Sequence, residues 1–220
     1  MIKPGVVVAV VGSSQSGKTA YVRHKIAGFA RSIVWDCEGQ YSGHKVDSPR
    51  ALTALIKKTG AGAGCIVYRP RSLKEFDFFC RAAFVWGALG GAAGKQTAVI
   101  AEETSDVTSP GKAPEGYGQL IRKGKKRGIS IYAITQRLAE SDKTAIGNAD
   151  FVHCCRMVLP IDRKYMSNIL DVPVDHLQNL LCDQDKKIFD YVQRDLGRDV
   201  LSRGVLTFPR KKAKFSKLLH

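Results

Sequence analysis

Nowhere in the 220 residues does an apolar run approach the roughly 18–20 residues that a membrane-spanning helix needs. The apolar segment near the N-terminus, residues 6–11, leads into a Gly/Ser turn and not into a cleavage site. No transmembrane segment and no signal peptide are therefore expected, and a cytoplasmic protein is. CxxC spacing is missing as well. Cys37, Cys65, Cys80, Cys154, Cys155 and Cys182 are scattered, several of them in apolar stretches, which argues for reduced thiols packed as small hydrophobes and against a zinc site. His153 precedes Cys154 and Cys155, but successive strand residues point to opposite faces, so core strand is the better reading of that group. Internal repeats and low-complexity linkers are absent, which excludes a solenoid and leaves a single domain over residues 1–208. Acid is in short supply, with 20 Asp plus Glu against 35 Lys plus Arg, a net charge of +15. That imbalance favours a polyanionic partner, nucleic acid or an acidic membrane surface, without choosing between them. Residues 209–220 hold Arg210, Lys211, Lys212, Lys214 and Lys217 and no acid, a basic C-terminal tail.

What the chain does hold is alternation. Short β-branched runs at 6–11, 32–36, 65–68, 97–101 and 129–135 alternate with helix-compatible segments at 18–31, 51–58 and 72–89, the pattern of a mainly parallel sheet covered by helices on both faces. Asp47 or Ser48 caps the second helix and Gly60 lies past its end, while residues 90–94 stop the third. Residues 37–49 read as a polar turn region and 104–118 as a long Gly/Pro-rich loop. Beyond them come a strand at 151–159, short helices at 163–170 and 174–181 broken at Pro173, and edge strands at 186–194 and 205–208.

Gly12-Ser13-Ser14-Gln15-Ser16-Gly17-Lys18-Thr19 fits GxxxxGK[ST] in full, between an apolar strand and a helix. The glycines let consecutive backbone N–H groups and the positive end of the helix face an anion, so this is a P-loop for the phosphates of ATP. Lys18 is expected to bridge the β- and γ-phosphates, and the Thr19 hydroxyl to ligate Mg2+. An acid at the end of another strand completes such a site, and the run 97–101 ends in Glu102 and Glu103. Glu102 is read as reaching the magnesium through water and Glu103 as polarising the attacking water. Glu102 stands where Asp is usual. Gln136, at the end of the run 129–135, carries an amide able to bond both a γ-phosphate and a water.

The order of these motifs resembles the FtsK/HerA superfamily of DNA-pumping ATPases, in particular the small genome-packaging ATPases of membrane-containing tailless icosahedral viruses. The resemblance spans residues 6–159 and rests on the P-loop, the acid pair and the stretch 120–137, a basic helix ending in Gly before a strand that closes on Thr135-Gln136-Arg137. Asn148-Ala149-Asp150 fits the same pattern. It implies a RecA/FtsK-like α/β fold, a homo-hexameric ring on double-stranded DNA, and an arginine finger from the neighbouring subunit, for which Arg127 and Arg122 are the candidates. It also implies work at a virion packaging vertex in the host cytoplasm, against capsid or vertex proteins. The loop read at 104–118, which holds Lys112 and Tyr117, is placed to face a central channel, with Lys112 and the basic cluster from Arg122 to Arg127 meeting DNA phosphates, and the basic tail is placed for DNA, an acidic vertex or a viral inner membrane. Competing readings are a filamentous-phage ATPase extruding single-stranded DNA, which usually carries a membrane anchor, an ATP-gated binding protein with little turnover, and a small-molecule kinase, for which no acceptor pocket is evident.

Overall fold

The computed structural model describes residues 2–111 and 113–208; Lys112 and the basic tail at 209–220 lie outside the described residues. In chain order the elements are β1 Val7–Val11, α1 Lys18–Ile26, β2 Arg31–Trp35, β3 His44–Val46, α2 Pro49–Thr59, β4 Gly64–Tyr68, α3 Phe76–Ala92, β5 Thr97–Ala101, α4 Thr104–Val107 and α5 Glu115–Gly124. There follow β6 Ile129–Thr135, α6 Thr144–Gly147, β7 Phe151–Cys155, α7 Pro160–Leu170, α8 Val174–Gln178, β8 Cys182–Asp183, β9 Ile188–Asp195 and β10 Val200–Thr207.

All but β8 fall on one path of a ten-stranded mixed sheet in the order β10-β9-β7-β1-β6-β5-β2-β4-β3, with β8 paired to β9. Every pairing from β7 to β3 is parallel, and only β9 with its neighbours runs antiparallel. The central strands β1, β2, β5 and β6 are buried along their whole length, which is why they read as unbroken β-branched runs without alternation. Side-chain period two still sorts them. Val7, Ile33, Trp35, Val99, Ala101, Ile129 and Ile131 pack under α2, α3 and α5, with Trp35, Phe76 and Phe79 forming an aromatic centre. Ala9, Val11, Val152 and Cys154 continue that face under α7 and α8. Val8, Val10, Val34, Ile100 and Tyr132 point the other way, onto Tyr21 and Val22 of α1. Helices thus cover both faces unequally, and the parallel strands end on one edge, where a ligand-binding crevice belongs.

Ser48 caps α2 and Gly60 ends it as expected, but several boundaries differ from the sequence reading. Helix α3 runs through Gly90 and Gly91 to Ala92. A Cβ on Gly90 would stand 2.5 Å from Arg31 Nε and one on Gly91 2.0 Å from the Arg127 carbonyl, so these glycines permit close approach and do not stop the helix. The long loop shrinks to 108–114 because α4 and α5 occupy its ends. Tyr117 is buried against Phe76, with ring centroids 5.3 Å apart, and is unavailable to DNA. The strand beginning at Phe151 ends at Cys155, because the Arg156 carbonyl turns to accept from the Ser13 N–H at 2.9 Å. Strand β9 lies between β7 and β10 and is no edge strand, and β3 lies inside the stretch read as turns. His153, Cys154 and Cys155 are core residues, and His153 stacks on Tyr21 at 3.5 Å.

Candidate functional site

Register places the motifs side by side. Strand β1 pairs with β6 so that Val11 faces Thr135, and β6 pairs with β5 so that Ala101 faces Ala133. The residues after each strand, Gly12, Gln136 and Glu102, therefore leave the sheet along one edge.

The loop 12–17 turns back sharply. Gln15 and Gly17 have φ of 58° and 99°, and Gly17 immediately precedes α1. A Cβ at Gly12 would lie 2.5 Å from Ser16 Oγ and 2.8 Å from Cys155 Cβ, so glycine is required there by space. Ser13 is bound to the Arg156 carbonyl through N–H and hydroxyl, and the Ser16 N–H donates to the Ser13 carbonyl at 3.3 Å. Lys18 is almost fully buried, and its Nζ donates to the Ser13 carbonyl at 2.8 Å. Burial pulls its pKa down, against the opposing pull of Glu103 and Glu102.

The two adjacent acids diverge. Glu102 is 2% exposed and turns inward, where its Oε1 accepts from Tyr41 Oη at 2.8 Å and from Thr19 Oγ1 at 3.3 Å. Burial pushes its carboxyl up to about 7, partly offset by the Tyr41 hydrogen bond. Glu103 adopts left-handed backbone at φ 47°, ψ 56°, unusual for a non-glycine residue and common at functional sites. Its Oε1 accepts from Gln136 Nε2 at 2.9 Å, and burial raises its carboxyl too. Together Thr19 and Glu102 offer hard oxygen donors of the kind Mg2+ takes.

One cleft of about 980 Å³ joins the P-loop to Glu103 and Gln136: residues 14–20, Arg23, His24, Glu38, Gln40, Glu103, Gln136, Gln184, Lys187, Phe189 and Phe208 line it, while the inward-turned Glu102 is not part of its lining. Arg23, His24, Glu38, Gln40, Gln184, Lys187, Phe189 and Phe208 went unnoticed in the sequence, as did Tyr41. Phe189 packs on the P-loop, since a Cβ on Gly17 would meet its Cγ at 2.6 Å, and the Phe189 and Phe208 rings lie 6.3 Å apart. Cys182 Sγ and Gln184 Nε2 donate to the Gln15 carbonyl, clamping the β8–β9 turn on the loop. Arg137 is held by the buried Asp162, with Nε 3.3 Å from its carboxylate. Arg122 and Arg127 are brought nowhere near this cleft. Both are exposed, and Arg127 stands two residues before β6, at the opposite edge of the sheet. Seven residues of strand at about 3.3 Å each separate the two edges by roughly 20 Å.

A scan against protein-family models finds no match. Protein P9 of Pseudoalteromonas phage PM2 is 33% identical over 207 residues, covering 93% of this chain and 92% of that protein. Among solved structures, the genome packaging NTPase B204 of Sulfolobus turreted icosahedral virus 2, in complex with AMPPCP, superposes with a TM-score of 0.72 at 15% identity, over 95% of this chain and all of that one. B204 of Sulfolobus turreted icosahedral virus, the DNA-packaging ATPase, gives 0.69 at 14% identity, over 96% of this chain and all of that one. The N-terminal domain of zonular occludens toxin from Neisseria meningitidis gives 0.51 at 14% identity, over 94% of this chain and 96% of that domain. With a P-loop and acid pair on one sheet edge, and a relative a third identical over more than nine tenths of both chains, the protein belongs to the FtsK/HerA-type viral genome-packaging ATPases.

Proposed function

We propose that the chain hydrolyses ATP with magnesium and uses the turnover to drive double-stranded DNA into a preformed viral capsid. The observation that carries this reading is the meeting of Lys18 with the Glu103–Gln136 pair in a single cleft. Backbone N–H groups of residues 14–19 hold the phosphates, and Lys18 exchanges the Ser13 carbonyl for phosphate oxygen. Phe208, which lines the same cleft, would offer an apolar ring to the nucleobase. Thr19, and Glu102 through water, would hold the magnesium, which when bound would neutralise charge on the phosphates. Glu103, made more basic by burial, accepts the proton of the attacking water at its carboxylate, while Gln136 orients both.

Arg127 lies too far from its own P-loop to touch that nucleotide, so a finger role for it or for Arg122 belongs to a neighbouring subunit in a homo-hexameric ring. Positive charge on and around α5, with Lys112 and the basic tail, supplies DNA contacts and vertex or membrane contacts. Nucleotide binding and phosphate release by the purified protein test the core of this. Lys18→Ala is expected to lose both, and Glu103→Gln to bind ATP while turnover falls on the order of 10²- to 10⁴-fold. Undiminished turnover in Lys18→Ala would overturn the assignment.

A further inference from the structure

We infer that Tyr41 is a positioning residue for the magnesium site, holding Glu102 in the place that an aspartate usually fills, an inference that rests on the ATPase reading above. A glutamate carries its carboxylate one methylene further from the backbone than an aspartate, on a side chain with one more rotatable bond, so it needs an outside contact to stay in one place. The structure supplies one. Tyr41 is 5% exposed, belongs to the buried cluster that holds Tyr21, Val22, Val34, Val67 and Ile100, and has the Arg23 guanidinium 5.3 Å from its ring centre. Its hydroxyl donates to Glu102 Oε1 at 2.8 Å, the same oxygen that accepts from Thr19 Oγ1 at 3.3 Å.

The tyrosine is fixed in turn. Asp36, at the end of β2 and almost fully buried, accepts the Gln40 N–H at 2.8 Å on one oxygen and the Tyr41 N–H at 3.2 Å on the other. That carboxylate closes the turn 36–41 and returns the chain to the sheet edge with the phenol aimed at Glu102. Two donors on Oε1 leave Oε2 without a partner among the protein hydrogen bonds described, and the Thr19 oxygen, its proton given to Glu102, keeps its lone pairs for a cation. Hydrogen-bond partners of metal-binding groups orient them in this way, and their loss typically costs about 10- to 100-fold in metal affinity.

The test is the Mg2+ dependence of binding of a fluorescent ATP analogue to the full chain, with Mn2+ paramagnetic resonance as a second readout of the cation. Tyr41→Phe keeps the ring and removes the donor. It is expected to raise the Mg2+ concentration for half-saturation by on the order of tenfold, with an altered Mn2+ spectrum, while binding in EDTA and the melting temperature stay at wild-type values. Glu102→Asp, whose shorter side chain gives up the Tyr41 contact and needs no outside contact to stay in place, should make the site independent of the Tyr41 hydroxyl, so that adding Tyr41→Phe to it changes nothing further. Unchanged Mg2+ dependence in Tyr41→Phe, or effects that add in the double variant, would overturn the inference while leaving nucleotide binding intact. Loss of analogue binding by the wild-type chain would instead remove the ATPase reading and this one with it.

Discussion

At the scale of the residue, Glu102 carries a cost that can be measured. Its ordinary carboxyl value is 4.5, and in the fold it rises to about 7 because burial disfavours the charge. Between those values the folded protein binds more protons than the unfolded chain, so this group lowers stability as pH rises from about 4.5 to about 7, and the loss is complete above that. The total is on the order of 3 kcal/mol. Without nucleotide or divalent cation, Glu102→Gln is therefore expected to unfold at a higher denaturant concentration than wild type at pH 8, with the advantage gone at pH 4. Equal gains at both pH values would contradict the burial argument. His153 works the opposite way. Burial holds it near 3, so its contribution fades as pH falls from the ordinary 6.5, and a comparison of wild type with Glu102→Gln keeps it constant.

At the scale of the element, α3 sets helix propensity against packing. Replacing Gly91 by Ala gains roughly 1 kcal/mol of helix propensity. The new Cβ would sit 2.0 Å from the Arg127 carbonyl, however, a backbone atom with no freedom to swing away, and overpacking of this kind costs about 1–3 kcal/mol or more. The clash wins. Gly91→Ala should lower the midpoint of chemical unfolding, whereas the same change at Gly28, whose Cβ meets nothing within 4 Å, should not. The same conflict marks where the sequence was legible. Buried parallel strands were readable because both their faces demand β-branched residues, and the P-loop because its spacing is tied to strand, turn and helix. Gly90 and Gly91 were misread as a stop because the reason for them lies across space, in Arg31 and Arg127. Tyr117 was placed in a DNA-facing loop and Tyr41 passed over for a related reason: a tyrosine in a polar stretch carries no local sign of being buried. Nor does local pattern say that Phe189, far along the chain, folds back onto Gly17.

For the whole molecule, Arg127 stands at the sheet edge opposite its own P-loop, so the finger role proposed for it would make assembly part of the chemistry. If Arg127 serves a neighbour, Arg127→Ala and Glu103→Gln are each expected to be nearly inactive alone, the first by on the order of 10³-fold or more in kcat. Mixed together they should recover measurable turnover, because some boundaries then pair an intact Arg127 with an intact Glu103. No recovery on mixing would count against a shared site. The net charge of +15 adds a second expectation at this scale. Duplex affinity should fall as a power of salt concentration, with a logarithmic slope near −0.9 for each phosphate neutralised, and Arg122→Ala should make that slope shallower if it meets the backbone. The test closest to the central claim is steady-state ATP hydrolysis by the purified chain, with and without duplex DNA, beside Lys18→Ala. Turnover that rises with duplex more than with single strands, and vanishes in Lys18→Ala, is the predicted result; hydrolysis indifferent to DNA under every condition would contradict a packaging motor.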